Sequence, residues 1–403
     1  MMTASSGRWR TCGANAQRCV DAADLTAGVT VAVRAEIGMR HTHTIAHDCA
    51  SLPVAHSRQS CPRLFIPATL ITFPHPDTRM LRRLAILFAL PALLSAQTAP
   101  TPAKPGWQWT MDSVRTVVNA VRAGRSLAPA SWPGGARVAV LLSFDVDNET
   151  IPLRFGEPTV GTLAAAQYGA RRGLGRLVRL LDSQRIPASF FIPSVSLALT
   201  PGMADTIGRS GRHEFAIHGW IHELNATLPD SAERALLAKA MTELTALTGK
   251  KPTGYRAPSW NFSPNTLTIL REMGFRYESS LMADDSPYEL LQKGQPTGLV
   301  ELPVEWILDD APLFDPRGQT YMNPRDVAKV WMDEFDKAYT ERGMFLLTMH
   351  PHVSGHRSRI IALELLLAHI RTKAAGSVWY ATHADAAEYV RKTANLGEPV
   401  PLR

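Results

Sequence analysis

The sequence predicts an α/β fold, a parallel sheet of strand–helix units gathered into one barrel-sized domain. Short apolar runs alternate with helical stretches along most of the chain beyond residue 106. Several of those runs end abruptly in a polar, chemistry-bearing group. The stretch that holds them is long enough for about seven strand–helix units, which fits one barrel better than two smaller domains.

Ahead of the alternation, 112–123 reads as an amphipathic helix with Val114, Val117, Val118 and Val121 on one face and Gly124 ending it. Ser131-Trp132-Pro133-Gly134-Gly135 then makes a turn into the first strong strand. Strand-like runs follow at 137–144, 188–192, 213–217, 253–257, 299–304, 343–349 and 377–381. Helical stretches lie at 162–183, 230–248, 264–273, 325–342, 357–373 and 383–393. Pro252, Pro264 and Pro324 stand near element starts, where a missing amide hydrogen is tolerated. No internal repeat is visible.

Composition narrows the class. Of 403 residues, 45% are apolar, which suits a packed core and excludes a disordered chain. The formal charge of +7 is dispersed, with no basic run interleaved with aromatics, and this argues against a nucleic-acid partner. The four cysteines, Cys12, Cys19, Cys49 and Cys61, all precede residue 80. They form no CxxC motif, and His41, His43 and His47 complete no finger-like spacing.

Residues 1–79 lack sustained periodicity and are expected to be disordered, or to come from a misassigned start codon. Residues 80–96 have the layout of a secretory signal peptide: a basic head at Arg82-Arg83, an apolar stretch over 84–94, and a small residue, Ala96, at the cut. That stretch is too short for an ordinary transmembrane helix; a buried helix and an uncleaved anchor are the competing readings. A Thr/Pro/Ala linker at 97–106 leads to the main domain at 107–395, and 396–403 form a tail. The expected location is the periplasm or the exterior, with no stable membrane span once the signal is cleaved. No Cys follows Ala96, so the exported form has no disulfides.

The chemistry sits at strand ends, where barrels and open α/β sheets place functional groups. One run delivers Asp145-Val146-Asp147, another His218-Gly219-Trp220-Ile221-His222, and a third His350. Asp145 and Asp147 share one face if the strand continues, although a turn or helix cap explains Asp-x-Asp as often. His218 and His222 have a spacing that brings imidazoles together on one helical turn, and Gly219 permits a sharp backbone bend. Arg256-Ala257-Pro258-Ser259-Trp260 offers an arginine to fix a buried carboxylate and a Pro/Trp pair to wall a groove; an exposed arginine before a turn is the alternative. Glu305-Trp306 and Asp309-Asp310 end another strand with an aromatic and acids.

Together these segments, in this order, resemble the polysaccharide deacetylase family, the NodB homology domain or carbohydrate esterase family 4. The resemblance spans roughly 107–395 and rests on Ser143–Asp147, His218–His222, Arg256–Trp260, the 303–310 region and His350-Pro351-His352. It implies a distorted (β/α)7-type barrel in a single domain. It matches Asp145 to the catalytic base, Asp147, His218 and His222 to metal ligands, Arg256 to the arginine that orients the base, and His350 to the general acid. The metal it implies is zinc, or else cobalt or another divalent ion. Trp220, Pro258, Trp260, Trp306, Asp309 and Asp310 are the candidate substrate-binding residues.

Two features depart from the usual family pattern. Val146 separates two aspartates that are otherwise adjacent, and Gly219-Trp220 replaces a small hydroxyl residue. They look like the branch holding peptidoglycan deacetylase-like proteins and allantoinase-type ureide hydrolases. The expected activity is secreted, metal-dependent hydrolysis of a non-peptide C–N bond, an N-acetyl group on an amino-sugar polymer. The alternatives are an amidohydrolase of a small cyclic amide or ureide, and a non-catalytic glycan-binding module.

Overall fold

In the computed structural model, which describes residues 104–156, 158–314 and 321–399, the chain folds around one curled, mixed ten-stranded sheet. Its strands are β1 (Val121–Ser126), β2 (Val138–Asp145), β3 (Ser189–Ile192), β4 (Glu214–Ile217), β5 (Gly254–Tyr255), β6 (Tyr277–Glu278), β7 (Tyr288–Gln292), β8 (Gln295–Glu301), β9 (Met344–Met349) and β10 (Val378–Ala381). The order runs β1-β7-β8-β6-β5-β4-β3-β2-β10, and β9 lies on the other edge of β2. β1, β7 and β8 pair antiparallel, and all other pairings are parallel. Asp309, beyond β8, makes a parallel bridge to Thr348 of β9, so the two sides of the curl approach each other. The expected distorted barrel is thus a half-barrel.

β2 is the axis of this arrangement. β9 pairs it along 139–144, whereas its opposite edge is shared by β10 at 138–141 and β3 at 143–145. Every β2 residue is buried, as a parallel strand covered on both faces requires. Val138, Val140, Leu142 and Phe144 join the larger apolar cluster with Leu174–Gln184, Asp230–Thr248, Pro324–Glu341 and Ile360–Lys373. Ala139 and Leu141 point the other way, into a second cluster closed by Ala386, Ala387 and Val390 of the last helix, His383–Thr393. Ser143 and Asp145 continue that inward row, which sends the polar groups up the inside of the curl.

Most expected strands and helices are present within a few residues, but the start of the domain differs. The first helix is Met111–Val118, capped by Thr110, and it stops five residues short of Ala123. Val121 opens β1, which hydrogen-bonds to the β7 edge. Gly124 therefore ends no helix: a Cβ there would meet the Glu289 carbonyl at 2.7 Å, so the glycine lets two strands close up. β1, β6 and β7 had no separable signal in the sequence. The expected helix at 162–183 is Val160–Tyr168 and Leu174–Gln184 joined by a π turn at Gly169–Gly173. That turn packs against the loop after β9, where a Cβ on Gly173 would meet the Pro351 carbonyl at 2.0 Å. The readings for 1–79 and 80–96, and 97–103 of the linker, lie outside the described residues. Among the described residues no helix is long and apolar enough to cross a membrane.

Glu278 and Glu301, at the ends of β6 and β8, are fully buried side by side. Burial pushes both carboxyls up, and Glu301 most, because the charge of Glu278 also faces it. Glu301 is the carboxyl driven further toward its neutral form, and its Oε1 accepts from the Ser280 and Leu281 amides. A carboxyl raised on folding costs nothing below the unfolded glutamate value, and stability falls as pH rises through the folded value. Glu301→Gln removes that titration at nearly unchanged volume. Its thermal midpoint should match wild type near pH 4 and exceed it by about 2–4 °C near pH 9 in a melting series.

Candidate active site

Asp145 ends β2 and Asp147 follows it, with Val146 between them turned into the larger apolar core. The intervening valine is thus the outward step of a period-two alternation that keeps both carboxylates inside. Each is almost fully buried.

Arg256, just after β5, has no exposed surface. Its Nη1 donates to Asp145 Oδ1 at 2.7 Å and Ser143 Oγ at 2.9 Å. Its Nε donates to the Ser279 carbonyl at 2.8 Å and its Nη2 to Ser279 Oγ at 2.9 Å. Nη2 also faces His383 Nε2 at 3.3 Å, and the guanidinium lies 4.0 Å from the Phe191 ring centre. A guanidinium only donates, so His383 accepts at Nε2 and is neutral; burial, then Arg256, hold its pKa well below the ordinary histidine value. For Asp145, burial raises the pKa, but Arg256, His218 and His350 together bring it below the usual carboxylate value. Asp147 has no such arginine, and burial leaves its pKa raised.

His218 and His222 do meet, but not on a helix. Gly219 and His222 both adopt positive φ, at 76° and 64°, and the Glu223 carboxylate accepts from the Trp220 and Ile221 amides to hold the bend. The rings lie 5.0 Å apart at 74°. His218 Nε2 is 3.5 Å from Asp147 Oδ1 and 3.6 Å from Asp145 Oδ2, and His222 Nε2 is 3.6 Å from Asp147 Oδ2. Potential ligand atoms of Asp147, His218 and His222 all lie within 4.8 Å of one another.

His350 ends β9. Its Nδ1 donates to Asp310 Oδ1 at 2.6 Å, and Asp310 Oδ2 accepts from the His350 amide at 2.9 Å and the Ser354 amide at 3.1 Å. Its Nε2 faces Asp147 Oδ2 at 3.6 Å. Burial opposes the imidazolium, but Asp310 and Asp309 raise its pKa well above the ordinary value. The Asp309 carboxyl is itself pushed up to about 7, by burial first. Asp309, Asp310 and His350 also have ligand-like spacing. The three hydrogen bonds on Asp310 make it a brace for His350 instead.

Asp145, Asp147, His218, His222, Asp309 and His350 line a cavity of about 480 Å³ with Arg154, Phe155, Ser259, Trp260, Trp306 and His352. Trp260 and Trp306 lie with ring centres 4.2 Å apart, and Trp306 is 46% exposed at the rim. Ser259 and Trp260 both have positive φ, a strained pair that aims the indole at the opening. Among the candidate substrate residues, Trp260, Trp306 and Asp309 line the cavity and Asp310 sits behind His350. Trp220 and Pro258 do not line it; Trp220 packs beneath Lys239, whose Nζ is 3.8 Å from the ring centre. Ser259 and His352 lie inside motifs already singled out but had been given no role, whereas Arg154, Phe155, Ser279 and His383 carry no local sequence signal, because the fold brings each in from a separate segment.

Comparison with known proteins supports the same reading. The polysaccharide deacetylase family pattern matches residues 167–278, which include His218, His222 and Arg256. A solved Mycobacterium smegmatis structure assigned to the polysaccharide deacetylases is 34% identical, with 70% of this chain and 99% of that one covered at a TM-score of 0.62. The chain belongs to the polysaccharide deacetylase family. A peptidoglycan deacetylase of Helicobacter pylori is 29% identical over 286 residues, 63% of this chain and 97% of the relative. A peptidoglycan deacetylase-like protein of Gibberella zeae is also 29% identical, over 54% of this chain and 76% of the relative. An allantoinase structure, 23% identical at a TM-score of 0.58 over 68% of this chain and 94% of that one, shares the fold. The protein is a deacetylase, a hydrolase of carbon–nitrogen bonds.

The Asp310 brace gives this deacetylase a testable titration. A histidine raised by a carboxylate stays cationic until pH passes its folded value, so His350 should remain protonated through neutrality. Asp310→Asn should lower that value by about one unit or more in an NMR titration of the ring.

Proposed function

We propose that this deacetylase is exported and removes N-acetyl groups from an amino-sugar polymer, peptidoglycan before chitin, with a divalent metal. The observation that carries the reading is the convergence of Asp147, His218 and His222 on one point, with Asp145 and His350 beside it on the same cavity. The residues fit a cation. Asp147 Oδ1 is buried and accepts no hydrogen bond, and a carboxylate with two imidazoles suits zinc or cobalt while leaving positions open. When bound there, the cation supplies Lewis-acid polarisation and acidifies a water.

The chain's own residues would do the rest. Arg256 keeps Asp145 ionised and pointed, so its free oxygen takes the water proton as the acetamide carbon is attacked. His350, cationic through Asp310, gives a proton to the amine nitrogen as the C–N bond breaks, leaving acetate and a free amino sugar. Trp306 and Trp260 offer an apolar face of the kind sugar rings stack on.

The peptidoglycan preference rests on the two curated relatives, one named a peptidoglycan deacetylase and the other peptidoglycan deacetylase-like. Export rests on the basic head, apolar stretch and small-residue cut at 80–96.

The test is acetate release from peptidoglycan and chitooligosaccharides, beside ring opening of cyclic amides. Wild type should release acetate, lose that activity to a chelator and regain it with zinc. Asp145→Asn should lower kcat/KM by about 10³-fold or more. Ring opening without acetate release would replace the glycan reading with the ureide one.

A further inference from the structure

The two imidazoles beside Asp147 are held by opposite hydrogen bonds. His218 Nδ1 lies 2.8 Å from the Arg256 carbonyl oxygen. A carbonyl only accepts, so Nδ1 carries a proton, and in the neutral ring the lone pair is on Nε2, aimed at Asp147. His222 Nδ1 instead lies 2.8 Å from Nη1 of Arg154. An arginine only donates, so here Nδ1 carries the lone pair. The proton of the neutral ring is then on Nε2, the atom that faces Asp147 Oδ2 at 3.6 Å. A nitrogen that carries a proton has no lone pair for a cation. Arg256 therefore presets one imidazole for a metal, and Arg154 presets the other against it.

Resting on the metal reading above, we infer that Arg154 gates metal loading by holding His222 in the tautomer that cannot ligate through Nε2. Loading has three linked parts. The Nε2 proton leaves to solvent, Nδ1 takes a proton, and Arg154 gives up the ring, with no net change in the protons on His222. Ser259 Oγ already accepts from the same Arg154 Nη1 at 2.8 Å, so Arg154 keeps one partner when it gives up the ring. Arg154 also stacks over Phe155, 4.5 Å from its ring centre, and that ring is 63% exposed at the cavity rim. The gate thus sits on the solvent side of the cluster.

The test uses the full chain, stripped of metal and labelled with ¹⁵N-histidine. Long-range ¹H–¹⁵N spectra, with His222 assigned from His222→Gln, report which ring nitrogen carries the proton. Zinc affinity is read by competition with a chromophoric chelator. Wild type should carry the His222 proton on Nε2 without metal and on Nδ1 with zinc. Arg154→Met should move it to Nδ1 in the metal-free protein and tighten zinc binding by about tenfold or more. Removing a cation tightens a cation site by charge alone, so Ser259→Ala is the control that leaves the charge unchanged. It removes the one acceptor that stays with Arg154 when the ring is given up, and should weaken zinc binding. A wild-type His222 already protonated on Nδ1 without metal overturns the gate, and so does Arg154→Met binding zinc no tighter than a zinc-binding wild type. Zinc bound by neither protein overturns the metal reading and the gate together.

Discussion

The buried Arg256 is the constraint on which the site depends. A guanidinium taken wholly out of water survives only if its donors are used, and here they reach Asp145, Ser143, Ser279 and His383. Those partners lie on or just beyond β2, β6 and β10, and Arg256 itself follows β5. The residue ties four separate stretches of the curled sheet to one point. Its backbone carbonyl also holds the His218 ring, so one residue sets both the charge of Asp145 and the tautomer of His218. Removing such a group strands a buried carboxylate, at a cost of about 3–5 kcal/mol. An Arg256 variant would therefore confound folding with chemistry, and Asp145→Asn is the cleaner probe.

Around that anchor the fold pushes the pKa values of similar groups in opposite directions. Asp145 is held ionised by the arginine, whereas Asp147, two residues on, is raised by burial. His350 is kept cationic by the Asp310 carboxylate, whereas burial, then His218 and Arg154, drive His222 well below the ordinary histidine value. A base that stays charged and an acid that stays protonated, facing one cavity, are what hydrolysis of an amide near neutrality needs.

What the sequence made legible follows from range. Asp145, His218 and His350 each end or follow a strong apolar run, so strand position alone pointed to them, whereas Arg256 follows only a short extended run and took its role from the family resemblance. Val146 departs from the family pattern, and β2 shows how it is accommodated, as the outward step of the strand. The His218–His222 spacing suggested a helical turn, but Gly219 and the Glu223 carboxylate build a tight loop that brings the rings together another way. The start of β1 was misread as helix because Val121 continues the helical spacing of Val114, Val117 and Val118; only the β7 edge, more than 160 residues later, makes it a strand. Arg154, Ser279 and His383 were invisible for the same reason, since their roles are defined by partners far along the chain.

The most direct test is X-ray absorption at the zinc edge of the zinc-loaded protein. Two imidazole nitrogens at about 2.0–2.1 Å, with oxygen filling the remaining positions, is the predicted shell. A third imidazole would place His350 among the ligands and remove the proposed acid. One imidazole or none would contradict the Asp147, His218 and His222 site itself.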